Sequence, residues 1–107
     1  MYASIRTYNT APGSGTQAVF DELRRQLEHD FVPRMQEING FHAYFAVRGD
    51  RDRLTTISVF DTQEGAAEST RRAAEFARSG SLPLQLGTPD VVLGNVFVAR
   101  EAAMPAM

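Results

Sequence analysis

Four stretches of this chain alternate residue by residue in strand fashion, and two others repeat apolar residues every three to four positions. Their order is strand, helix, strand, strand, helix, strand, within only 107 residues. Short connections and right-handed crossovers leave one main way to close that order. It is the ferredoxin-like βαββαβ unit of the α+β class: a four-stranded antiparallel sheet with both helices on one face. We read residues 1–100 as one such domain and 101–107 as a C-terminal tail.

The punctuation follows from residue types. Tyr2 to Tyr8 reads as the first strand, and Pro12, Gly13 and Gly15 mark the loop after it. Ser14 with Gln17 fits a capping box, with Thr16 as the other candidate cap. Phe20, Leu23, Leu27, Phe31, Met35 and Ile38 form a helical stripe, which Pro33 interrupts. The simplest accommodation is a second short helix capped by Asp30. Gly40 supplies a left-handed stop. Phe41–Arg48 and Leu54–Phe60 read as a strand pair around the loop 49–53. Asp61 with Glu64 predicts a capping box for a helix over Thr62–Ser79, stopped by Gly80. Val91–Arg100 reads as the last strand.

Absences narrow the chemistry. There is no Cys, so thiol nucleophiles, disulfides and thiolate metal sites are excluded. Every basic residue is Arg, which excludes Schiff-base lysine chemistry and a phosphate-loop lysine. The two histidines, His29 and His42, cannot make a three-histidine metal site, and no metal site is expected. A net charge of −2 argues against nucleic acid as a partner. No apolar run is long enough to span a membrane, and Met1–Arg6 does not read as a signal peptide, so the expected location is cytoplasmic.

The strands present two faces. Ala3, Ile5, Thr7, Phe41, Ala43, Phe45, Val47, Thr55, Ile57, Val59, Val92, Gly94, Val96 and Val98 are nearly all apolar, and this set is expected beneath the helices. The opposite set is Tyr2, Ser4, Arg6, Tyr8, His42, Tyr44, Ala46, Arg48, Leu54, Thr56, Ser58, Phe60, Val91, Leu93, Asn95 and Phe97. No helix remains to cover it, and it is too apolar for a wet sheet face. A homodimer with its sheets face to face is the expectation.

Gly13-Ser14-Gly15-Thr16-Gln17-Ala18 matches a G-x-G-x-x-A dinucleotide spacing. No acidic residue ends the second strand, so the motif reads as a turn and cap. His42 at alternate positions with Tyr44, and near Arg6 or Tyr8, could hold a phenolate or act as a general base. His29-Asp30 reads as surface and capping. The alanines Ala66, Ala67, Ala73, Ala74 and Ala77, with Phe76, let a helix approach the sheet closely. Arg71, Arg72 and Arg78 read as a solvated face with Glu68 and Glu75.

Gly40-Phe41, Ser58-Val59-Phe60-Asp61, the run Gly65-Ala66-Ala67-Glu68-Ser69-Thr70, Ala73-Ala74-Glu75-Phe76 and Gly94 together resemble the antibiotic-biosynthesis-monooxygenase-like proteins. The resemblance covers about residues 2–100. It implies the dimeric α+β barrel. The group includes cofactor-free oxygenases of anthrones and quinols, haem-degrading enzymes, and stress-associated barrels without known catalysis. In the haem branch a strand Asn and a second-helix Trp and His mark the site. This chain has no Trp and no second-helix His, and Asn9 is only a loose match for the Asn. Haem degradation is therefore disfavoured and no cofactor is expected.

Two expectations follow. The first is a cofactor-independent monooxygenase-like protein that acts on or binds a small aromatic or polyphenolic molecule. His42, Tyr44 and Arg6 are its candidate catalytic residues. Tyr8, Asn9, Phe45 and Phe76 are its candidate ligand contacts. If the pocket lies between sheet and helices, the face assignment makes the catalytic trio structural, and Phe45, Phe76 and the alanine stripe become the lining. The second expectation is a non-catalytic dimeric ligand-binding or stress-related barrel. A cavity above roughly 300 Å³ with two convergent polar groups favours the first, and a filled core the second.

Overall fold

The computed structural model describes residues 1–11, 13, 15–79 and 82–102. The strands are β1 (Tyr2–Tyr8), β2 (Phe41–Arg48), β3 (Leu54–Phe60) and β4 (Asp90–Asn95). They form one antiparallel sheet in the order β2-β3-β1-β4. The helices α1 (Gln17–Gln26), α2 (Val32–Gln36) and α3 (Gln63–Arg78) cover one face. This is the expected ferredoxin-like arrangement. No helix among the described residues is long and apolar enough to cross a membrane.

Pro33 does not start a separately capped helix. A π-helical turn, Leu27–Phe31, joins α1 to α2, and the Val32 N–H reaches back to the Leu27 carbonyl. The wider turn takes up the missing proline N–H and the crowding against the preceding turn. Asp30 lies inside that turn and caps nothing. Thr16 caps α1 by accepting from the Val19 N–H at 3.2 Å; the Ser14 alternative lies outside the described residues. Thr62, not Asp61, caps α3, accepting from the Gly65 N–H at 3.0 Å. Asp61 is occupied by His42 instead. Gly40 takes the expected left-handed conformation, φ +82°. β4 ends at Asn95, five residues earlier than its sequence pattern suggests. Gly80 and residues 103–107 of the tail lie outside the described residues.

The assignment of the two sheet faces is reversed. In β1 and β3 the buried positions are Ser4, Arg6, Tyr8, Leu54, Thr56, Ser58 and Phe60, and these look at the helices. Phe31, Met35, Ile38, Ala66, Ala73 and Phe76 pack with Phe60 into the larger core cluster. Phe31 stands between Tyr44 and Phe76, with ring centroids 5.4 and 5.1 Å away. Burying a side chain such as Phe60 contributes about 1.5–3 kcal/mol. Gly65 lets α3 come this close, because a Cβ there would meet Phe60 at 3.1 Å.

The uncovered face is therefore Ala3, Ile5, Thr7, Ala43, Phe45, Val47, Thr55, Ile57, Val59, Val92 and Gly94. It is the more apolar of the two. Phe45 is 56% exposed and Val92 63%. The segment after β4 adds Phe97, 91% exposed, beside an open groove of about 250 Å³ on this face.

Candidate functional site between sheet and helices

Arg6 sits in mid-β1 with 1% of its surface exposed. Its guanidinium is held by hydroxyls. Nε donates to Thr56 Oγ1 at 3.1 Å, Nη1 to Ser4 Oγ at 2.9 Å and Ser69 Oγ at 3.4 Å, and Nη2 to Ser58 Oγ at 2.8 Å. Three strand hydroxyls reach it because the cross-strand register sets Ser4 opposite Ser58 and Arg6 opposite Thr56. Ser69 comes from α3 and is itself anchored, donating to the Ala66 carbonyl at 2.6 Å. Among the described residues no carboxylate pairs with Arg6. Burial draws its pKa down from the ordinary value, yet a guanidinium stays charged in proteins. A buried charge without an opposite charge carries a penalty of several kcal/mol, softened here by the four hydroxyl acceptors.

Two tyrosines flank it. Tyr44 lies across β3, opposite Ser58, on the helix side of the sheet. Its hydroxyl is buried without a hydrogen bond, with Thr56 beside it but out of bonding geometry. Burial pushes the Tyr44 phenol up, against the pull of the Arg6 charge. Tyr8 is raised for the same reason, with Arg6 again opposing. Both phenols are protonated at neutral pH and are available as donors.

The space here is divided. An open cleft of about 380 Å³ lies between α1, the π turn and the β2–β3 edge, with Phe20, Leu27, Tyr44, Ala46 and Arg48 in its wall. A second chamber, of about 270 Å³ and as open to solvent as the cleft, lies at the other end, between β1, α3 and the segment before β4. A neck of about 20 Å³, lined by both Tyr8 and Tyr44, separates them. Arg48 closes the outer rim. Its guanidinium lies 4.0 Å from the Phe20 ring centroid and donates to Asp52 Oδ1 at 2.8 Å and the Gly15 carbonyl at 2.8 Å. Asp52 and Arg51 both adopt left-handed backbone, φ 58° and 57°, unusual for residues with a Cβ.

The predicted residues do not all meet. Arg6, Tyr8 and Tyr44 share the helix-covered side, and the exchange of faces puts them in the space expected to be lined by other groups. Phe76 lines the neck. His42 is elsewhere. A bulge between Phe41 and Ala43 sets it out of phase, and its Nε2 meets the exposed Asp61 Oδ1 at 2.5 Å. It is not with Tyr44 and Arg6. Phe45 lies on the uncovered face, and Asn9 is exposed with its carbonyl accepting from the Gly87 N–H at 3.4 Å. The site reading from sequence did not include Arg48, Arg78 or the hydroxyls around Arg6. The signal for the last was present: Ser4-x-Arg6-x-Tyr8 and Thr56-x-Ser58 place polar side chains on one strand face.

No family model matches this sequence, and no curated protein sequence matches it. Solved structures do. A monooxygenase from the ActVA-Orf6 gene of Streptomyces coelicolor, in complex with Nanaomycin D, superposes with a TM-score of 0.63 at 16% identity, over 98% of this chain and 92% of that one. The heme-degrader MhuD from Mycobacterium tuberculosis, with two hemes in its active site, gives 0.64 at 13%, over 94% and 100%. A variant of SnoaB, a cofactor-independent oxygenase from Streptomyces nogalater, gives 0.56 at 14%, over 94% and 94%. The chain shares the ferredoxin-like fold of these proteins. On this fold the present chain carries a hydroxyl-held arginine with two protonated tyrosines. Among the described residues no group of three His, Asp or Glu side chains could hold a metal ion.

Proposed function

We propose that this protein binds a small, flat phenolic molecule in the cleft between sheet and helices and oxygenates it without a cofactor. The observation that carries the reading is a 380 Å³ cleft lined by Tyr44, whose hydroxyl lies buried and without a hydrogen bond behind that wall. An orphaned donor there costs free energy until a ligand oxygen accepts from it. Arg6, across β3, does not line the cleft but sets its positive charge near Tyr44. A donor in that field favours a ligand oxygen that carries negative charge, a phenolate or enolate. Such an anion can hand electrons directly to O₂. For a ring CH₂ flanked by carbonyl-conjugated rings, one oxygen atom ends as the new C=O. The other leaves as water with the two hydrogens lost from carbon.

Oxygen uptake with a panel of quinols and anthrones tests this. Wild type takes up oxygen with at least one of them, and Tyr44→Phe lowers the rate about tenfold, the loss expected for one donor to a developing oxyanion or less. His42→Ala leaves the rate unchanged, because His42 sits with Asp61 away from the cleft. Wild type without uptake above background across the panel ends the oxygenase reading. Binding without turnover is the second reading. It is favoured by the lack of a histidine among the residues lining the cleft and neck.

We further infer that a second copy of the chain covers the uncovered sheet face. Ile5, Phe45, Val47, Ile57 and Val92 share it, and burying each is worth about 1.5–3 kcal/mol. A contiguous apolar face of this kind on a monomer marks an interaction surface.

A further inference from the structure

We propose that the chamber under α3 is a second binding site, and that it takes a small anion. The chamber, about 270 Å³, is lined by Arg6, Tyr8, Thr70, Arg78, Gly87 and Thr88 among others, and by no acidic residue. Its charge is therefore positive, in a protein whose net charge is −2. Arg6 also stands apart from other arginines of the chain. Arg24, Arg25, Arg48, Arg71 and Arg72 each pair with a carboxylate. Arg6 is the buried one, and its partners are neutral hydroxyls. Hydroxyl oxygens satisfy hydrogen-bond geometry but cancel no charge. A cavity against an uncompensated guanidinium, with a second arginine and three more hydroxyls around it, is complementary to a carboxylate or phosphate group.

The site is separate from the outer cleft. The neck between them holds only about 20 Å³, too little for a ring to pass without movement. The inference does not depend on oxygen chemistry, although the Arg6 charge enters both readings, and Arg78 belongs to this site alone.

Titration calorimetry on the full chain decides it, with benzoate, inorganic phosphate and the neutral benzyl alcohol as probes. An anion binds, and benzyl alcohol binds at least about tenfold more weakly, a difference of one charge-assisted contact. Benzoate ahead of phosphate assigns the site to planar carboxylates. Phosphate ahead of benzoate assigns it to phosphate groups. Arg78→Ala, an exposed position that leaves the core intact, weakens the preferred anion about fivefold or more, and Arg6→Met abolishes its binding. Arg71→Ala removes the same charge from another part of α3 and changes the affinity less than about twofold. If Arg6→Met does not fold, the comparison of Arg78→Ala with Arg71→Ala decides alone. Two results overturn the proposal: neither anion binding at millimolar concentration, or Arg71→Ala weakening binding as much as Arg78→Ala.

Discussion

Tyr44 shows how a single hydroxyl separates stability from function. Its buried oxygen has no partner, so Tyr44→Phe removes an unsatisfied group and leaves the ring packed against Phe31. Stability is expected to stay level or rise by up to about 1 kcal/mol in a urea melt, while ligand affinity falls. A loss above about 2 kcal/mol would show that the hydroxyl is bonded in the folded protein after all. The same residue shows what the sequence allowed. Tyr44, Arg6 and Tyr8 are legible as one cluster, because alternate strand positions share a face. Which face was not legible. The helix-covered side carries Ser4, Arg6, Thr56 and Ser58, and the reverse carries Ile5, Phe45, Ile57 and Val92. Polarity alone points the apolar set at the helices. That rule fails when both sides are to be buried, one of them against something outside the chain. His42 was misplaced for a different reason. A bulge is invisible to a period-two count, and it moved one histidine off the shared face.

At the scale of elements, α3 carries a charge relay along its outer side. Glu68 bonds Arg71 and Arg72, and Arg71 also bonds Glu75. These bonds, Arg71 first, hold the Glu68 carboxyl down to about 2. A carboxylate depressed in the folded state adds stability above its unfolded pKa and loses it as pH falls toward the folded one. The Glu68 contribution is therefore whole at neutral pH and fades between about pH 4.5 and about 2. In an acid titration followed by circular dichroism, Glu68→Gln should flatten the part of the slope in that window and leave the neutral plateau nearly unmoved, as exposed ion pairs contribute little. An unchanged slope would mean that the pair is absent in solution. The helices and three strands were legible from spacing and β-propensity. The π turn was not, since Pro33 predicts a break and the chain instead widened one turn to keep going. The end of β4 was not legible either. Val96, Phe97 and Val98 have strand propensity, but the ladder with β1 ends at Tyr2 opposite Asn95, followed by one bond from the Val96 N–H to the Met1 carbonyl at 2.9 Å.

For the whole molecule, the sheet is a single layer with different business on each side. Phe45→Glu puts a charge on the uncovered face, on the opposite side of the sheet from Arg6 and the Tyr44 side chain. Sedimentation at micromolar concentration should give a dimer for wild type and a monomer for the variant, with the fold retained by circular dichroism. A wild-type monomer would remove the second copy from this account. Ile5 and Arg6 are adjacent in sequence, yet one would answer to a neighbouring chain and the other to a small molecule. A shift of a single residue in β1 or β3 would trade those duties along the whole strand. An odd insertion within these inner strands would therefore need a bulge to absorb it. The edge strand β2 has already taken an odd step at His42 and absorbed it locally. Excising His42 should then leave Phe41 opposite Phe60 and Tyr44 opposite Ser58, in an uninterrupted ladder, whereas one extra residue in β1 should be lethal to the fold.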